Sequence, residues 1–440
     1  MLFSKLLIIL IFFNYFNCNL SQEKFDCNKE TTVALKQVCE KQMKRINLGE
    51  TAENKDPKYL PNATEGILPS RPELECFDQK CICNYYGGKI KGSDCILSNG
   101  QKVQKAIRKE IRMLTDKERN DIFNTIKEMK KRGDYDYIAL IHRLAFANGG
   151  AHYGCAFFGW HREYMKRFEI LLRKNNPTLA LPYWDSTLDG RLPNPADSIL
   201  FTEQFLGTTN SQGYVTTGPF TPWKTIEGDP YITRNVGVKG SCFTEYDIQW
   251  TLAQTKIEDV LTYTSSRREC PVTPKWNWFE FVHGNPHLFI GGDMATFIPN
   301  KPANDPIFFF YHCFVDAVFE LWRQKAQNRN QRSNDYPADL ATCESITHFK
   351  NANMTQFSPL KNLDGLRNEY TDNLFEYAPR PSCTLEKECD SKYLFCDRSH
   401  SFPPLCVSKV RLGGNCQGFV NGEDVCLNSN CVNGTCVVNT

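Results

Sequence analysis

The sequence predicts a mainly α protein, a helical core flanked by disulfide-rich segments. Three observations carry that expectation. Apolar residues recur at helical spacing in four stretches of the long middle of the chain. Most of the 20 Cys among 440 residues lie toward the two ends, where helical periodicity is weak. Six of the eight His fall in two short windows, several of them on the core-facing stripes of those helices.

Met1 to Cys18 carries Lys5, the apolar run Leu6 to Phe13 and then polar residues. That is the shape of a signal peptide, and the run is too short for a membrane span of ~20 residues. Export explains the cysteines, because disulfides persist in oxidising compartments. It also fits four sequons, at Asn19, Asn62, Asn353 and Asn433. No second long apolar stretch follows, so the reading is a secreted, extracellular protein with no transmembrane segment. Lys and Arg total 52 against 50 Asp and Glu, a net charge of +2 that gives no reason to expect nucleic acid or anionic membrane as a partner.

Residues 19–102 hold six Cys, from Cys27 to Cys95, with Pro57, Pro61, Pro69 and Pro72, and read as a loop-rich, disulfide-stapled region. Residues 103–376 form the helical domain. Thr115-Asp-Lys-Glu118 has the pattern of a capping box and opens a helix with Ile122, Ile126 and Met129 on one face. A second helix carries Ile138, Ile141, His142 and Ala145. A third, from Trp160, turns Tyr164, Met165, Phe168, Leu171 and Leu172 inward. A fourth shows Phe308, Val315, Phe319 and Trp322. Gly149-Gly150, Asn175-Asn-Pro177 and Gly291-Gly292 punctuate them. Tyr377 to Ser382 reads as a linker into a module, residues 377–440, with eight Cys and few large apolar residues, which bridges rather than a core must hold. The sequence cannot choose their pairing.

His142, His152 and His161 form one window, and His283, His287 and His312 the other. His161 shares the inward face of the third helix, His312 that of the fourth, and His283 and His287 are i and i+4. Polar groups on core-facing stripes are costly unless something satisfies them, and a metal inside a helical bundle does so. His283-Gly-Asn-Pro-His287 lacks the Glu of a zinc-protease helix. Glu280-Phe-Val-His283 is one Glu-x-x-His pair where a di-iron carboxylate bundle needs two. Two all-histidine triplets suit a pair of copper ions, and zinc stays open. His348 and His400 have no such neighbours and read as surface or satisfied side chains.

These residues resemble a known family. Ala151 to Arg162, which contains His152, Trp160 and His161, is similar to the first copper motif of tyrosinases. Leu181-Pro-Tyr-Trp-Asp185 resembles the segment that follows it. His283-Gly-Asn-Pro-His287, Gly291-Gly-Asp-Met294 and Asn304 to Asp316 resemble the second motif, and Val103 to Glu118 looks like the family's leading helix. The similarity covers residues 103–325, and the Cys-rich ends look like those of secreted invertebrate members. The resemblance implies the type 3 copper fold, a four-helix bundle with long loops. It implies two copper ions as cofactors, one on His142, His152 and His161 and the other on His283, His287 and His312. It implies a secreted phenol oxidase that uses dioxygen to convert o-diphenols, small or protein-bound, to o-quinones. An extracellular matrix partner for the Cys-rich tail stays open. The alternatives are a haemocyanin-like dioxygen carrier, a zinc-bearing tautomerase-like relative and an inactive matrix protein, the last disfavoured by six intact ligands.

Further roles follow from the same resemblance. Glu280 would orient a water that deprotonates a monophenol, together with an Asn just after the first ligand of the motif. That position is Gly284 here, with Asn285 one place later, so weak monophenol hydroxylation is expected. Gly284, Leu288 and Ile298 would line the substrate entrance. Pro286 should bring a kink or a helix end. Tyr311 takes a place where the family commonly has a non-ligand His. Gly150 stands where a fungal-type thioether would need Cys. Cys155 and Cys313, each close to a ligand, are read either as a bridge bracing the site or as two buried thiols.

Overall fold

The computed structural model describes residues 68–438, apart from residues 266, 268, 298 and 299. The signal segment, Cys27, Cys39 and the sequons at Asn19 and Asn62 lie outside the described residues, as does Ile298.

The leading segment forms a small disulfide-stapled hairpin, β1 (Lys89–Lys91) with β2 (Asp94–Ile96), held by Cys76–Cys81 and Cys83–Cys95. The stretch from Val103 to Glu118 is not the helix the resemblance suggested. It contains β3 (Ala106–Arg108), a 3-10 turn at Ile111–Met113, and helix only from Asp116. Ala106 and Arg108 are buried while Ile107 is exposed, a period of two that suits a strand. β3 pairs in parallel with β4 (Phe375–Tyr377), near the far end of the helical region.

Helix α1 (Asp116–Lys131) begins at the expected capping box: the Thr115 hydroxyl accepts from Glu118 N, and the Glu118 carboxylate accepts from Thr115 N. Ile122, Ile126 and Met129 are buried. Gly133, at φ 80°, makes the left-handed turn into α2 (Asp134–Ala147). Helix α3 spans Phe157–Leu172 and α4 Glu245–Leu252. The second motif is split into α5 (Phe279–Val282) and α6 (Gly284–Ile290), which meet at His283. Pro286 has no N–H to give the carbonyl of Val282, so the interruption falls before the proline and the ring sits in the first turn of α6, where it is tolerated. Helix α7 (Ile307–Ala326) completes the bundle with α2, α3 and the α5–α6 pair.

All of α3 is buried, including Arg162, Glu163, Lys166, Arg167 and Glu169. The sequence pattern turned only one face inward. The other face is covered by residues 362–377, and its charges are paired. Arg162 Nε donates to Asp316 Oδ1 at 2.7 Å and its Nη2 lies 2.8 Å from Glu320 Oε2, joining α3 to α7. Arg108 Nη2 meets Glu169 at 2.9 Å with Phe375 stacked on its guanidinium, and Tyr377 OH donates to Asp316 Oδ2 at 2.5 Å. Isolated buried charges would be prohibitive; Arg162 and Glu169 are paired with other elements, while Lys166 and Arg167 pair with Glu163 within α3.

The C-terminal module carries two hairpins, β5 (Leu394–Asp397) with β6 (Leu405–Ser408) and β7 (Asn430–Val432) with β8 (Thr435–Val437). Its eight cysteines form two interlaced sets, Cys383–Cys396 with Cys389–Cys406 and Cys416–Cys431 with Cys426–Cys436. The module docks on residues 185–204. Ile199 N donates to Lys409 O at 3.0 Å, Arg411 N to Asp197 O at 2.9 Å, and Arg380 bridges Asp185 and Glu245. No helix among the described residues is long and apolar enough to cross a membrane.

Candidate metal centre

Each of the two histidine windows becomes a cluster. The ligand-capable atoms of His142, His152 and His161 all lie within 4.8 Å of one another, and so do those of His283, His287 and His312. The helices explain this. His142 comes from α2 and His161 from α3, with His152 on the loop between them. His283 stands at the α5–α6 junction, His287 one turn on, and His312 on α7. The clusters face one another: the rings of His161 and His312 stack with centroids 4.4 Å apart, and those of His152 and His283 lie 6.2 Å apart.

Most of the outward ring nitrogens are held by acceptors. His142 Nδ1 is 2.8 Å from Asn300 Oδ1, His161 Nδ1 donates to Phe157 O at 2.8 Å, His283 Nδ1 to Glu280 O at 2.5 Å and His287 Nδ1 to Met294 O at 2.9 Å. Such bonds fix the tautomer and leave Nε2 with its lone pair toward the centre. The buried Nε2 atoms of His142 and His161 have no hydrogen-bond partner, and those of His287 and His312 stand 3.1 Å apart. Burial lowers the pKa of His142 to about 3 and those of His152, His161 and His312 well below the usual histidine value, so these four rings are neutral donors at physiological pH. Buried imidazole nitrogens that converge from separate elements, those of His142 and His161 with no hydrogen-bond partner, are what a metal ion satisfies. The residues present fit two three-histidine metal sites.

An aromatic shell encloses them. Phe308 stacks on His312 at 4.2 Å, and Phe157 lies 4.7 Å from both His161 and His283. Tyr311 donates its hydroxyl to His283 O at 2.6 Å and packs edge-on against His287, so it braces the α5–α6 break. Glu280 is buried, and its carboxylate accepts from Tyr153 N, next to His152, and from the Thr264 hydroxyl. At Gly284 an added Cβ would meet nothing within 4 Å, and Leu288 is half-buried under Gly240.

Cys155 and Cys313 are not bridged. Both are free and buried, with their sulfurs on Leu261 O and Leu181 O respectively, each at 3.6 Å. Cys313, one residue after a ligand, is turned about 100° around α7 and away from the site. The bridge near the site is Cys270–Cys343. His348 is neither on the surface nor fully satisfied: it is 1% exposed beneath the His152 loop, with Nδ1 unpartnered. His400 is half-exposed beside Asp397. Asn300 and Glu344 have no role in the sequence reading, because neither lies in a local pattern that points to a histidine; Tyr311, read there only as the neighbour of His312, proves to hold the His283 carbonyl.

The description "Common central domain of tyrosinase" matches residues 132–325. A tyrosinase-like protein of Caenorhabditis elegans (tyr-3) is 42% identical over 98% of this chain and 62% of its own length. A tyrosinase-like protein of Pinctada maxima is 30% identical over 71% of this chain and 69% of its own. The chain thus spans about three fifths of the length of the Caenorhabditis elegans relative. Among solved structures, a polyphenol oxidase from Thermothelomyces thermophila aligns with a TM-score of 0.47 and 16% identity over 74% of this chain and 99% of that one. Both histidine clusters fall within the region that tyrosinases share, and this chain belongs to the tyrosinase family.

Proposed function

We propose that the protein is a copper-dependent oxidoreductase, a secreted phenol oxidase that converts o-diphenols to o-quinones with dioxygen. The observation that carries the proposal is the facing of two histidine triads across one buried space, with His161 stacked on His312. Six imidazoles, with neither thiolate nor carboxylate in the set, suit copper in both its oxidation states. On this reading His142, His152 and His161 hold one ion and His283, His287 and His312 the other. When bound, the pair carries electrons from two catechols to one dioxygen, giving two quinones and two waters.

The chain's own residues prepare that chemistry. Asn300 and the carbonyls of Phe157, Glu280 and Met294 hold four ligands in one tautomer each. Phe157, Phe308 and Tyr311 keep bulk water from the ligands. The open space at Gly284 admits a flat ring beside His283, and we assign Leu288 to the rim of that entrance. Export is supported by the signal-like segment Met1 to Cys18 and by seven disulfides among the described residues.

Dioxygen uptake by the copper-loaded chain with a simple catechol, before and after limited proteolysis, tests the proposal. Uptake with formation of a coloured quinone is expected. No uptake in either state would overturn it.

A further inference from the structure

The loop that presents His152 has an unusual backbone and an unusual floor. Tyr153, the next residue, sits at φ 70°, a left-handed conformation that a bulky side chain adopts only when its surroundings impose it. The floor supplies the constraint. The Glu280 carboxylate accepts from Tyr153 N, and the Glu344 carboxylate accepts from Cys155 N at 2.9 Å. Between these two anchors lies Gly154. A Cβ there would stand 2.7 Å from Glu344 Oε2 and 2.6 Å from His348 Cγ, so the loop backbone rests directly on both side chains.

Glu344 is itself fixed. It follows Cys343, which is bridged to Cys270, and its N–H donates to Leu340 O at 3.1 Å. It is 1% exposed, and its Oε1 has no partner. Burial pushes its carboxyl up to about 8, so at neutral pH it is largely the uncharged acid, whose carbonyl oxygen still accepts the Cys155 N–H. A buried carboxyl with one oxygen on a loop amide and the other on nothing contributes little net stability. Its specific effect is to fix where the loop sits, and hence where His152 points.

We infer that Glu344 is a positioning residue for His152, acting through the Cys155 N–H and the close approach of Gly154. The inference rests on the dicopper reading. Without this floor the loop relaxes from its left-handed turn, His152 leaves its triad, and His142 and His161 alone hold the first ion weakly. Residues that orient a metal ligand commonly contribute 10–100-fold in metal affinity.

The test uses the full copper-loaded chain and three variants, Glu344→Ala, Gly154→Ala and Glu344→Gln. After dialysis against a chelator, copper per chain is measured together with the electron paramagnetic resonance spectrum. Two coupled copper(II) ions are silent there, and a lone ion gives a signal. Wild type should keep both ions and stay silent. Glu344→Ala and Gly154→Ala should lose one ion and gain the signal. Glu344→Gln, the isostere of the uncharged acid, should behave as wild type, a rescue that loss of general stability would not show. If Glu344→Ala does not fold, Gly154→Ala decides. Retention of both ions and a silent spectrum in a folded Glu344→Ala or Gly154→Ala would overturn the inference and leave the dicopper reading standing. Failure of wild type itself to bind two ions would overturn both.

Discussion

Asn300 Oδ1 lies 2.8 Å from Nδ1 of His142, and this contact sets which nitrogen of His142 faces the centre. An amide oxygen can only accept, so Nδ1 carries the proton and Nε2 keeps its lone pair. Replacing Asn300 with Leu removes the acceptor and leaves the tautomer unfixed. The expected result is a 10–100-fold loss of affinity for the first ion, read by competition with a chelator. Unchanged affinity would show that packing alone orients the ring.

Catechols should be far better substrates than tyrosine. The Glu280 carboxylate already accepts from Tyr153 N and the Thr264 hydroxyl, and Gly284 brings no amide to help hold a water near it. Oxygen uptake with tyrosine should be slow and preceded by a lag that a trace of catechol removes. Rapid turnover of tyrosine without a lag would contradict this.

Acid should unfold the metal-free protein well before the loaded one. Folded His142 takes up its proton only near pH 3 because of burial, whereas the unfolded ring does so near 6.5. Between those values the unfolded state binds more protons, so stability is full above pH 6.5 and falls as pH drops, by ~1.4 kcal/mol per unit for each such group. His348, lowered to about 4, adds to the same slope. Bound metal excludes those protons from its ligands. Melting curves taken between about pH 7 and pH 5 should therefore separate the two forms progressively.

Arg162 and Asp316 hold α3 and α7 in register, so Arg162→Met should take one buried partner from each of two carboxylates, leaving Asp316 to Arg108 and Tyr377 and Glu320 to Arg323. The expected loss is about 2–3 kcal/mol, measured by chemical denaturation. A change under ~1 kcal/mol would mean that water reaches the pair.

Asp197 anchors the C-terminal module, accepting from Arg411 Nη2 at 2.8 Å and Asn415 N at 3.0 Å. Asp197→Ala should cost about 1–3 kcal/mol and speed cleavage in the 377–382 segment under limited proteolysis.

The parts of this architecture legible in the sequence are those written in local pattern. The Thr115–Glu118 box, the inward stripes of α1, α2 and α7, and the spacing of His283 and His287 each follow from contacts within a few residues. The strand at Ala106–Arg108 escaped that reading, because its partner lies at Phe375–Tyr377 and three residues carry almost no period of their own. The buried charges of α3 read as a solvent face, since nothing local shows that Asp316, Glu320 and Tyr370 arrive to pair with them. Asn300 and Glu344 are ordinary polar residues until the fold sets them under a histidine.

The pairing of Arg108 with Tyr377 OH, at 2.7 Å and a separation of 269 residues, also has a consequence in time. Until residue 377 has been made and threaded into place, Arg108 has no lid and the crevice between α3 and α7 stays open to water. So high a contact order makes the closing step slow and late. A ribosome-bound chain that stops short of β4 should carry its helices yet have no finished interior, and metal loading should follow synthesis of that strand rather than precede it.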